Sequence, residues 1–215
     1  MTDSSLSSAQ RTLATEIDGL QALSDALGDN FERAVTKLAE ISGRVIVSGM
    51  GKSGHIGSKI AATMASTGTP AQFVHPGEAS HGDLGMITSN DAVLALSWSG
   101  ETAELANLID YAKRFSIPLI ALTSGADSLL GRQADICITL PKSTEACPNG
   151  LAPTTSTTMQ LALGDALAIA LLEKRKFSSA DFKNFHPGGK LGAGLVLVDD
   201  VMHSGAALPL APVGT

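Results

Sequence analysis

Three hydroxyl residues surround one glycine near the middle of the chain. Ser97, Ser99 and Thr102 flank Gly100 directly after an apolar stretch, where we expect a strand to turn into a helix. Hydroxyl groups and backbone N–H groups at a helix N-terminus can bind phosphate without a metal. A helix cap needs only one hydroxyl. Three on one turn therefore favour a phosphate site, with simple capping as the alternative.

A second cluster lies in residues 45–57, VIVSGMGKSGHIG. A β-branched run is followed by glycines and then by a helical pattern after Ser53, which predicts a strand, a tight turn and a helix. Free N–H groups and the helix dipole favour an anion at such a junction. Lys52 and Ser53 lie at the start of the predicted helix, beside this junction. We interpret it as one wall of a sugar-phosphate pocket, with a plain glycine turn as the alternative.

Two nucleotide-binding motifs partly match this stretch and are excluded. The G-x-G-x-x-G motif of dinucleotide-binding proteins expects an acidic residue about twenty positions later. The next predicted strand instead ends on residues 73–76, FVHP, which contain no carboxylate. The P-loop motif needs a glycine where this chain has Ile46.

Two carboxylates are candidates for acid–base chemistry. Glu145 lies in the long loop 141–153, where partial burial is expected to raise the pKa of its carboxyl group toward that of a useful general base. Glu104 lies one helical turn beyond the hydroxyl cluster and either leans over the same pocket or stands exposed. Asp165, within the longest apolar segment, is interpreted as a structural partner of another side chain.

Histidines occur in two turn-rich segments. His75 and His81 share a loop with Glu78 and Asp83, and this group suits either zinc or hydrogen bonds to substrate hydroxyls. His186 begins a His-Pro-Gly-Gly turn, and the residues alone leave its role open.

Apolar stretches alternate with helical patterns along the chain, which is typical of a parallel sheet covered on both faces. We predict an α/β fold, a three-layer sandwich with five parallel strands in flavodoxin-like order. Ligands of such sheets bind beyond the carboxyl ends of the strands. Two further helices are expected before the sheet, in residues 9–41. The predicted strands are 45–47, 71–75, 92–97, 118–123 and 136–140, and the main helices are 53–66 and 101–115.

The composition is that of an ordinary globular protein. The 215 residues are 44% hydrophobic and 17% charged, with a net charge of -6 that argues against nucleic acid as a partner. The two cysteines fit a reduced compartment. The first residues are polar, and the longest apolar segment, 159–172, is short for a bilayer span. We expect a cytoplasmic protein with no membrane partner.

Six motifs, taken in order, resemble those of arabinose 5-phosphate isomerases in the sugar isomerase (SIS) domain family. We therefore expect a helical arm in residues 1–42 and an SIS domain in residues 43–198. Residues 199–215 are expected to be a linker toward CBS domains, which family members commonly carry and this chain lacks. The motifs are GMGKSGHIG (49–57), ASTGTP (65–70), HPGEASHGDLG (75–85), SGE (99–101), EACPNGLAPTTST (145–157) and HPGGKLG (186–192).

The resemblance implies interconversion of D-ribulose 5-phosphate and D-arabinose 5-phosphate through a cis-enediol(ate), the first step toward Kdo for lipopolysaccharide or capsule. It implies no required cofactor, with His75 as a zinc contact. It also implies a homotetramer or dimer with shared active sites. The catalytic positions carried over by motif are Lys52, Glu104, Glu145 and His186, and the substrate-binding positions are Ser53, Gly68, Thr69, His75, His81, Ser97, Ser99 and Thr102.

We assign these residues to the steps that the chemistry requires. Glu145 is the candidate base at C1 and C2, and Lys52 stabilises the enediolate. His186 opens the sugar ring or relays a proton, and we expect it to complete the active site of a partner subunit. Glu104 orients hydroxyls, although the two glutamate roles can be exchanged. Trp98 departs from the small polar residue common in the family. The alternatives are a non-catalytic sugar-phosphate sensor and an isomerase for another sugar phosphate.

Overall fold

Five parallel strands form a single sheet in a computed structural model of the chain, which describes residues 4–186 and positions 202, 203, 205 and 208. In chain order the strands are β1 Val45–Gly49, β2 Ala71–Phe73, β3 Ala92–Leu96, β4 Leu119–Thr123 and β5 Ile136–Thr139. Their spatial order is β2-β1-β3-β4-β5, and all neighbouring pairs are parallel. The prediction of a five-stranded sheet in flavodoxin-like order is confirmed.

Helices connect the strands and precede and follow the sheet. Short 3₁₀ turns occur at Asp83–Met86 and Ala103–Leu105. The second of these replaces the first turn of the helix predicted at 101–115. Within the described residues the α-helices are α1 Ser5–Ala26, α2 Asp29–Glu40, α3 Gly51–Ser66, α4 Pro76–Ala79, α5 Ala106–Arg114, α6 Leu129–Gln133, α7 Thr155–Lys174 and α8 Ser179–Phe185.

Each strand side chain faces one of two helical layers. Val45 and Val47 of β1 belong to the core that contains buried residues of α3 and α7, whereas Ile46 belongs to the core that contains those of α5. β1, β3 and β4 are buried along their whole length. Burial on both faces explains why these strands are continuous apolar runs. The predicted three-layer α/β arrangement is confirmed.

The core helix α7 is the element on which the arm packs. Met159, Leu163, Leu167 and Leu171 recur at four-residue spacing and are buried, and both α1 and α2 contact this helix. Among the described helices α7 alone has the length and composition for a membrane span, yet half of the relevant window is buried inside the protein. It is therefore a core helix, as the sequence predicted.

The chain divides into two units, Met1–Lys176 and Phe177–Thr215. The first holds the arm and the whole sheet, and the predicted boundary at residues 42 and 43 stays a prediction. In the second, α8 begins with a capping box between Ser178 and Asp181. Most of the predicted linker 199–215 lies outside the described residues.

A buried aspartate secures the loop that leads into β3. Asp91 Oδ1 accepts a hydrogen bond from Arg44 N at 2.6 Å, and Oδ2 accepts bonds from the backbone N and the hydroxyl of Thr88 at 2.7 and 2.9 Å. Burial alone raises the pKa of this carboxyl group, but the hydrogen bonds from Arg44 and Thr88 outweigh it, so the pKa of Asp91 lies below its ordinary value.

The variant Asp91→Asn is expected to lower the free energy of unfolding by about 2–3 kcal/mol, because an amide group cannot accept all three hydrogen bonds. A lowered pKa contributes stability above the unfolded value of about 3.9, and that contribution is lost as the pH falls through the folded value. Urea unfolding from pH 7 to pH 3 should therefore show the difference between wild type and variant shrinking below about pH 4. Asp110→Asn, on the exposed face of α5, is the matched control. A constant difference over this range would contradict the assignment.

Candidate active site

A cavity of about 420 Å³ opens at the carboxyl edge of the sheet, beyond β1 and β3. Its polar lining comes from the first turns of two helices and from the loop before α7: Lys52, Ser53, Glu145, Ser156 and Thr157. Its apolar lining includes Met50, Trp98, Leu151 and Pro153. The structure thus brings together Lys52, Ser53 and Glu145, three of the residues singled out from the sequence.

A larger groove of about 700 Å³ lies at the opposite edge, between α2 and α5. Its lining includes Lys37, Lys113 and Asp135, and none of the predicted site residues. Ligands of open parallel sheets bind beyond the carboxyl ends of the strands. The smaller cavity is therefore the candidate active site.

The junction of β1 and α3 has the predicted strand, turn and helix. A Cβ atom on Gly54 would lie 2.6 Å from the carbonyl oxygen of Gly49, so only glycine lets the helix begin this close to the strand. α3 begins at Gly51, two residues earlier than predicted, and its N-cap Met50 makes no side-chain capping bond. The first N–H groups of α3 thus remain available to an anion beside Lys52.

Ser53 is held by a residue that sequence reasoning missed. Its hydroxyl donates to Oε1 of Gln160 at 3.0 Å, and Gln160 is fully buried on α7. The sequence feature that could have identified Gln160 is its polar side chain within the apolar run 159–172. Asp165, in the same run, pairs with Lys59 of α3, which confirms its interpretation as a structural partner.

Glu145 caps the core helix. Its Oε2 accepts hydrogen bonds from the backbone N and the hydroxyl of Thr154 at 2.7 and 3.0 Å and from Ser156 N at 3.3 Å. The Thr154 hydroxyl in turn accepts a bond from Ala146 N at 2.9 Å. The carboxylate therefore stands against the positive end of α7, on the wall of the cavity.

The expectation of a raised pKa at Glu145 is wrong. Burial does raise the pKa of this half-buried carboxyl group, but the hydrogen bonds from Ser156 and Thr154 together outweigh burial and hold the pKa below its ordinary value. Glu145 is consequently ionised at neutral pH. It is a weaker base than predicted, but one that is fully deprotonated.

The hydroxyl cluster after β3 is also the framework of its own turn. Ser97 Oγ lies 2.8 Å from Thr102 Oγ1 and accepts a bond from Gly100 N at 3.0 Å, while Ser99 Oγ accepts one from Glu101 N at 3.2 Å. Gly100 has φ 73°. The three hydroxyls thus stabilise the turn itself, but neither the N-cap of the 3₁₀ turn, Thr102, nor that of α5, Leu105, makes a side-chain capping bond. The capping alternative is therefore wrong, and phosphate binding by these hydroxyls stays a prediction.

Replacing both Ser99 and Thr102 by Ala is expected to raise KM about 10- to 100-fold with a smaller change in kcat, because hydrogen bonds to a charged group contribute about 1.5–3 kcal/mol each. Steady-state kinetics with a sugar phosphate measures this. Ser66→Ala, at the far end of α3, is the control for loss of a hydroxyl. An unchanged KM in the double variant would remove this turn from phosphate binding.

Glu104 and the two loop histidines lie on the other face of the sheet. Glu104 is exposed in the 3₁₀ turn, and α4 packs beside that turn and beside α5. His75 caps α4 through its Nδ1, which accepts from Gly77 N at 3.2 Å, and His81 is exposed. None of the three lines the 420 Å³ cavity as the described residues define it.

The predicted zinc contact at His75 does not fit the residues around it. Across residues 4–186 no group of three or more His, Cys, Asp or Glu side chains is arranged to hold a metal ion. The Nδ1 atom of His75 is also engaged with the backbone of its own helix. We therefore derive no chemical step through zinc.

Gly68 and Thr69 are not brought to the cavity. Both precede β2, and the next residue, Pro70, accepts a hydrogen bond from Val45 N at the start of β1 at 2.9 Å. They therefore lie at the amino edge of the sheet, across the strands from Lys52. Neither residue lines the 420 Å³ cavity, and their predicted role in substrate binding stays a prediction.

His186 lies in the second unit, at the end of α8. Its Nδ1 is 2.9 Å from the carbonyl oxygen of Phe182, and its ring stacks on the ring of Phe182 at 3.9 Å between centroids. The Pro-Gly-Gly turn that follows lies outside the described residues. The predicted catalytic role of His186 stays a prediction.

Comparison with known proteins identifies the family. The family model described as SIS domain matches residues 37–170, more than half of the chain. A solved structure of an Escherichia coli CFT073 protein in complex with arabinose 5-phosphate superposes with a TM-score of 0.81 at 41% identity, covering 83% of this chain and 95% of that one. The chain therefore belongs to the SIS domain family.

Among curated relatives, the chain is similar to proteins named arabinose 5-phosphate isomerase KdsD. It is 56% identical to that of Pseudomonas aeruginosa over 97% of this chain, and 55% identical to that of Yersinia pestis over 93%. The chain spans 64% and 61% of the length of these two relatives.

Proposed function

We propose that this protein is an aldose–ketose isomerase that interconverts D-ribulose 5-phosphate and D-arabinose 5-phosphate. The observation that carries the proposal is the cavity, which places the ammonium group of Lys52, the carboxylate of Glu145 and the open N-terminus of α3 around one volume. A cation, a base and an anion site are what enediol chemistry on a sugar phosphate requires. The names of the KdsD relatives and the solved complex with arabinose 5-phosphate support the choice of substrate.

In the proposed reaction Glu145 moves one proton between two carbons. Its carboxylate, ionised because its pKa is lowered, removes the C2 proton of the open aldose and returns it to C1 of the cis-enediol(ate). The proton of the C2 hydroxyl passes to O1, which leaves the C2 carbonyl and the C1 hydroxyl of the ketose. Lys52 neutralises the charge that develops on the sugar oxygens, which compensates for the weak basicity of Glu145. The hydrogen bonds from Thr154 and Ser156 keep the carboxylate in one orientation.

The remaining residues bind and orient the substrate. The first N–H groups of α3, with Ser53, Ser97, Ser99 and Thr102, supply donors for the phosphate. Glu104 lies on the other face of the sheet and does not line this cavity, so the scheme assigns it no step within one chain. No metal takes part in this scheme. We place the reaction in the cytoplasm, at the entry to Kdo synthesis for lipopolysaccharide or capsule.

A non-catalytic sugar-phosphate sensor is the alternative from another class. It needs the anion site but no base, so Lys52 together with an ionised Glu145 favours the enzyme. The test is to incubate the protein with ribulose 5-phosphate and follow the products by NMR. Arabinose 5-phosphate should form, and Glu145→Gln, purified in the same way, controls for a contaminating isomerase. Ribose 5-phosphate as the product, or none, would overturn the proposal.

We also propose that the protein is a homotetramer or dimer in which His186 completes the site of a partner subunit. The support is an exposed apolar stripe on α1, where Leu6, Leu13 and Ile17 recur on one helical face. Symmetric assembly of such faces makes each site composite.

Mixing the two inactive variants Glu145→Gln and His186→Ala should then restore part of the activity, because some mixed interfaces pair an intact Glu145 with an intact His186. The measurement is the isomerisation rate after subunit exchange, with exchange confirmed by native mass spectrometry. Each variant exchanged with itself is the control. No recovery after confirmed exchange would place His186 in the site of its own subunit.

A further inference from the structure

The one tryptophan of the chain lies beside the residues proposed for catalysis. Trp98 lines the same cavity as Lys52, Ser53 and Glu145. It follows β3 at two-residue spacing from Leu96, and strand side chains alternate between faces. Leu96 belongs to the core on the side of α3 and α7, and Trp98 packs against that same core. The indole is therefore directed to the face on which the cavity opens.

The backbone of Trp98 is held in place beside the cavity. The carbonyl oxygen of Trp98 accepts a hydrogen bond from Ser124 N at 2.9 Å and one from the Thr123 hydroxyl at 3.2 Å. These bonds tie the end of β3 to the end of β4. Because the side chain is half-buried against the core, it cannot leave the cavity wall without losing packing.

The two walls of the cavity differ in character. Lys52, Ser53 and Glu145 provide charge and hydrogen bonds, whereas Trp98, with Met50 and Leu151, provides apolar surface. An open sugar chain has hydroxyl groups that need polar partners and C–H groups that do not. An indole ring offers a large rigid surface for such C–H groups at little entropic cost.

Resting on the proposed function, we propose that Trp98 is a specificity-determining residue that packs on the carbon chain of the sugar phosphate and limits it to five carbons. On this proposal the additional carbon of a hexose phosphate meets the indole, whose half-buried side chain can move aside only by losing its packing. Overpacking of a rigid wall is unfavourable. Discrimination by one additional carbon in a pocket is typically about 10- to 200-fold.

The intrinsic fluorescence of the wild-type protein tests the contact directly, since Trp98 is its only source of tryptophan emission. Arabinose 5-phosphate should change the emission saturably, with the same Kd as calorimetry gives, and inorganic phosphate should change it less. Binding by calorimetry with unchanged emission would overturn the role of Trp98. Absence of binding by either method would count against the proposed function itself, so the two failures are distinguishable.

Variants then test specificity. Trp98→Ala should raise the Kd for arabinose 5-phosphate about tenfold and lower the preference for it over fructose 6-phosphate, measured as a ratio of calorimetric Kd values, by about tenfold. Trp98→Phe keeps an aromatic wall and should recover most of the loss. Phe115→Ala, a half-exposed ring outside this cavity, is the control and should leave both constants unchanged. An unchanged preference in Trp98→Ala would overturn the proposal, and the wild-type titration decides it if that variant does not fold.

Discussion

Glu145→Gln is expected to lower kcat by about 10²- to 10⁴-fold with little change in KM, as for loss of a general base. The amide has nearly the shape of the carboxylate but cannot take up the C2 proton. Its oxygen can still accept a hydrogen bond from Thr154 N, so the loop before α7 should stay in place. Steady-state kinetics in both directions measures the effect.

Because Glu145 also caps α7, the effect of the substitution on stability has to be separated from its effect on catalysis. Thermal unfolding of Glu145→Gln should show a modest loss of stability, since a charge-assisted cap becomes a neutral one. Glu173→Gln, an exposed carboxylate near the other end of α7, is the matched control and should change neither stability nor kcat. A kcat within about threefold of wild type would remove Glu145 from the role of base.

The pKa of Glu145 gives this prediction a second readout. Because its pKa lies below the ordinary value of about 4.3, the carboxylate stays ionised down to that pH, and the activity that depends on it should fall only at lower pH. The contribution of Glu145 to the free energy of unfolding depends on pH in the same direction as the activity. It is present above the unfolded pKa and is lost as the pH falls through the folded one.

The strands and their order could be predicted because they depend on local pattern. β1, β3 and β4 are buried along their length, so their apolar runs are visible in the sequence, and parallel strands imply where a ligand binds. The histidine segment was predicted as a loop. α4 has four residues, and helices this short leave no periodicity to detect.

The site was predicted less well where it depends on contacts between distant residues. The lowered pKa of Glu145 comes from donors nine and eleven residues later, whose approach depends on how the loop folds back onto α7. The place of Gly68 and Thr69 followed from the strand assignment, since a loop that precedes a strand lies at the amino edge. Motif similarity gave these two residues a role in substrate binding, and that role stays a prediction.

Lys52→Met is expected to lower kcat/KM by about 10²- to 10³-fold, the usual cost of removing one donor from an oxyanion site. Lys52 is exposed on the first turn of α3 at the cavity wall. Within residues 4–186 its ammonium group forms no ion pair with an acidic side chain. It is thus available to the negative charge that develops on the substrate. Removing it should cost little stability, because no ion-pair partner among those residues is lost.

The matched control is Lys59→Met, seven residues further along α3. Lys59 pairs with Asp165 on the surface of the protein, and both side chains are substantially exposed. Such pairs contribute about 0–1 kcal/mol, so Lys59→Met should leave kcat/KM unchanged while removing the same charge from the same helix. The control separates a local role of Lys52 in the cavity from a general effect of charge on substrate attraction.

Whether the loss of kcat/KM in Lys52→Met comes from a lower kcat or from a higher KM shows which role Lys52 has. If it stabilises the enediolate, kcat and kcat/KM fall together, because the interaction forms only in the transition state. If it binds the phosphate instead, KM rises and kcat is retained. Equal losses in the Lys52 and Lys59 variants would show that neither role is specific, and would remove Lys52 from the proposed mechanism.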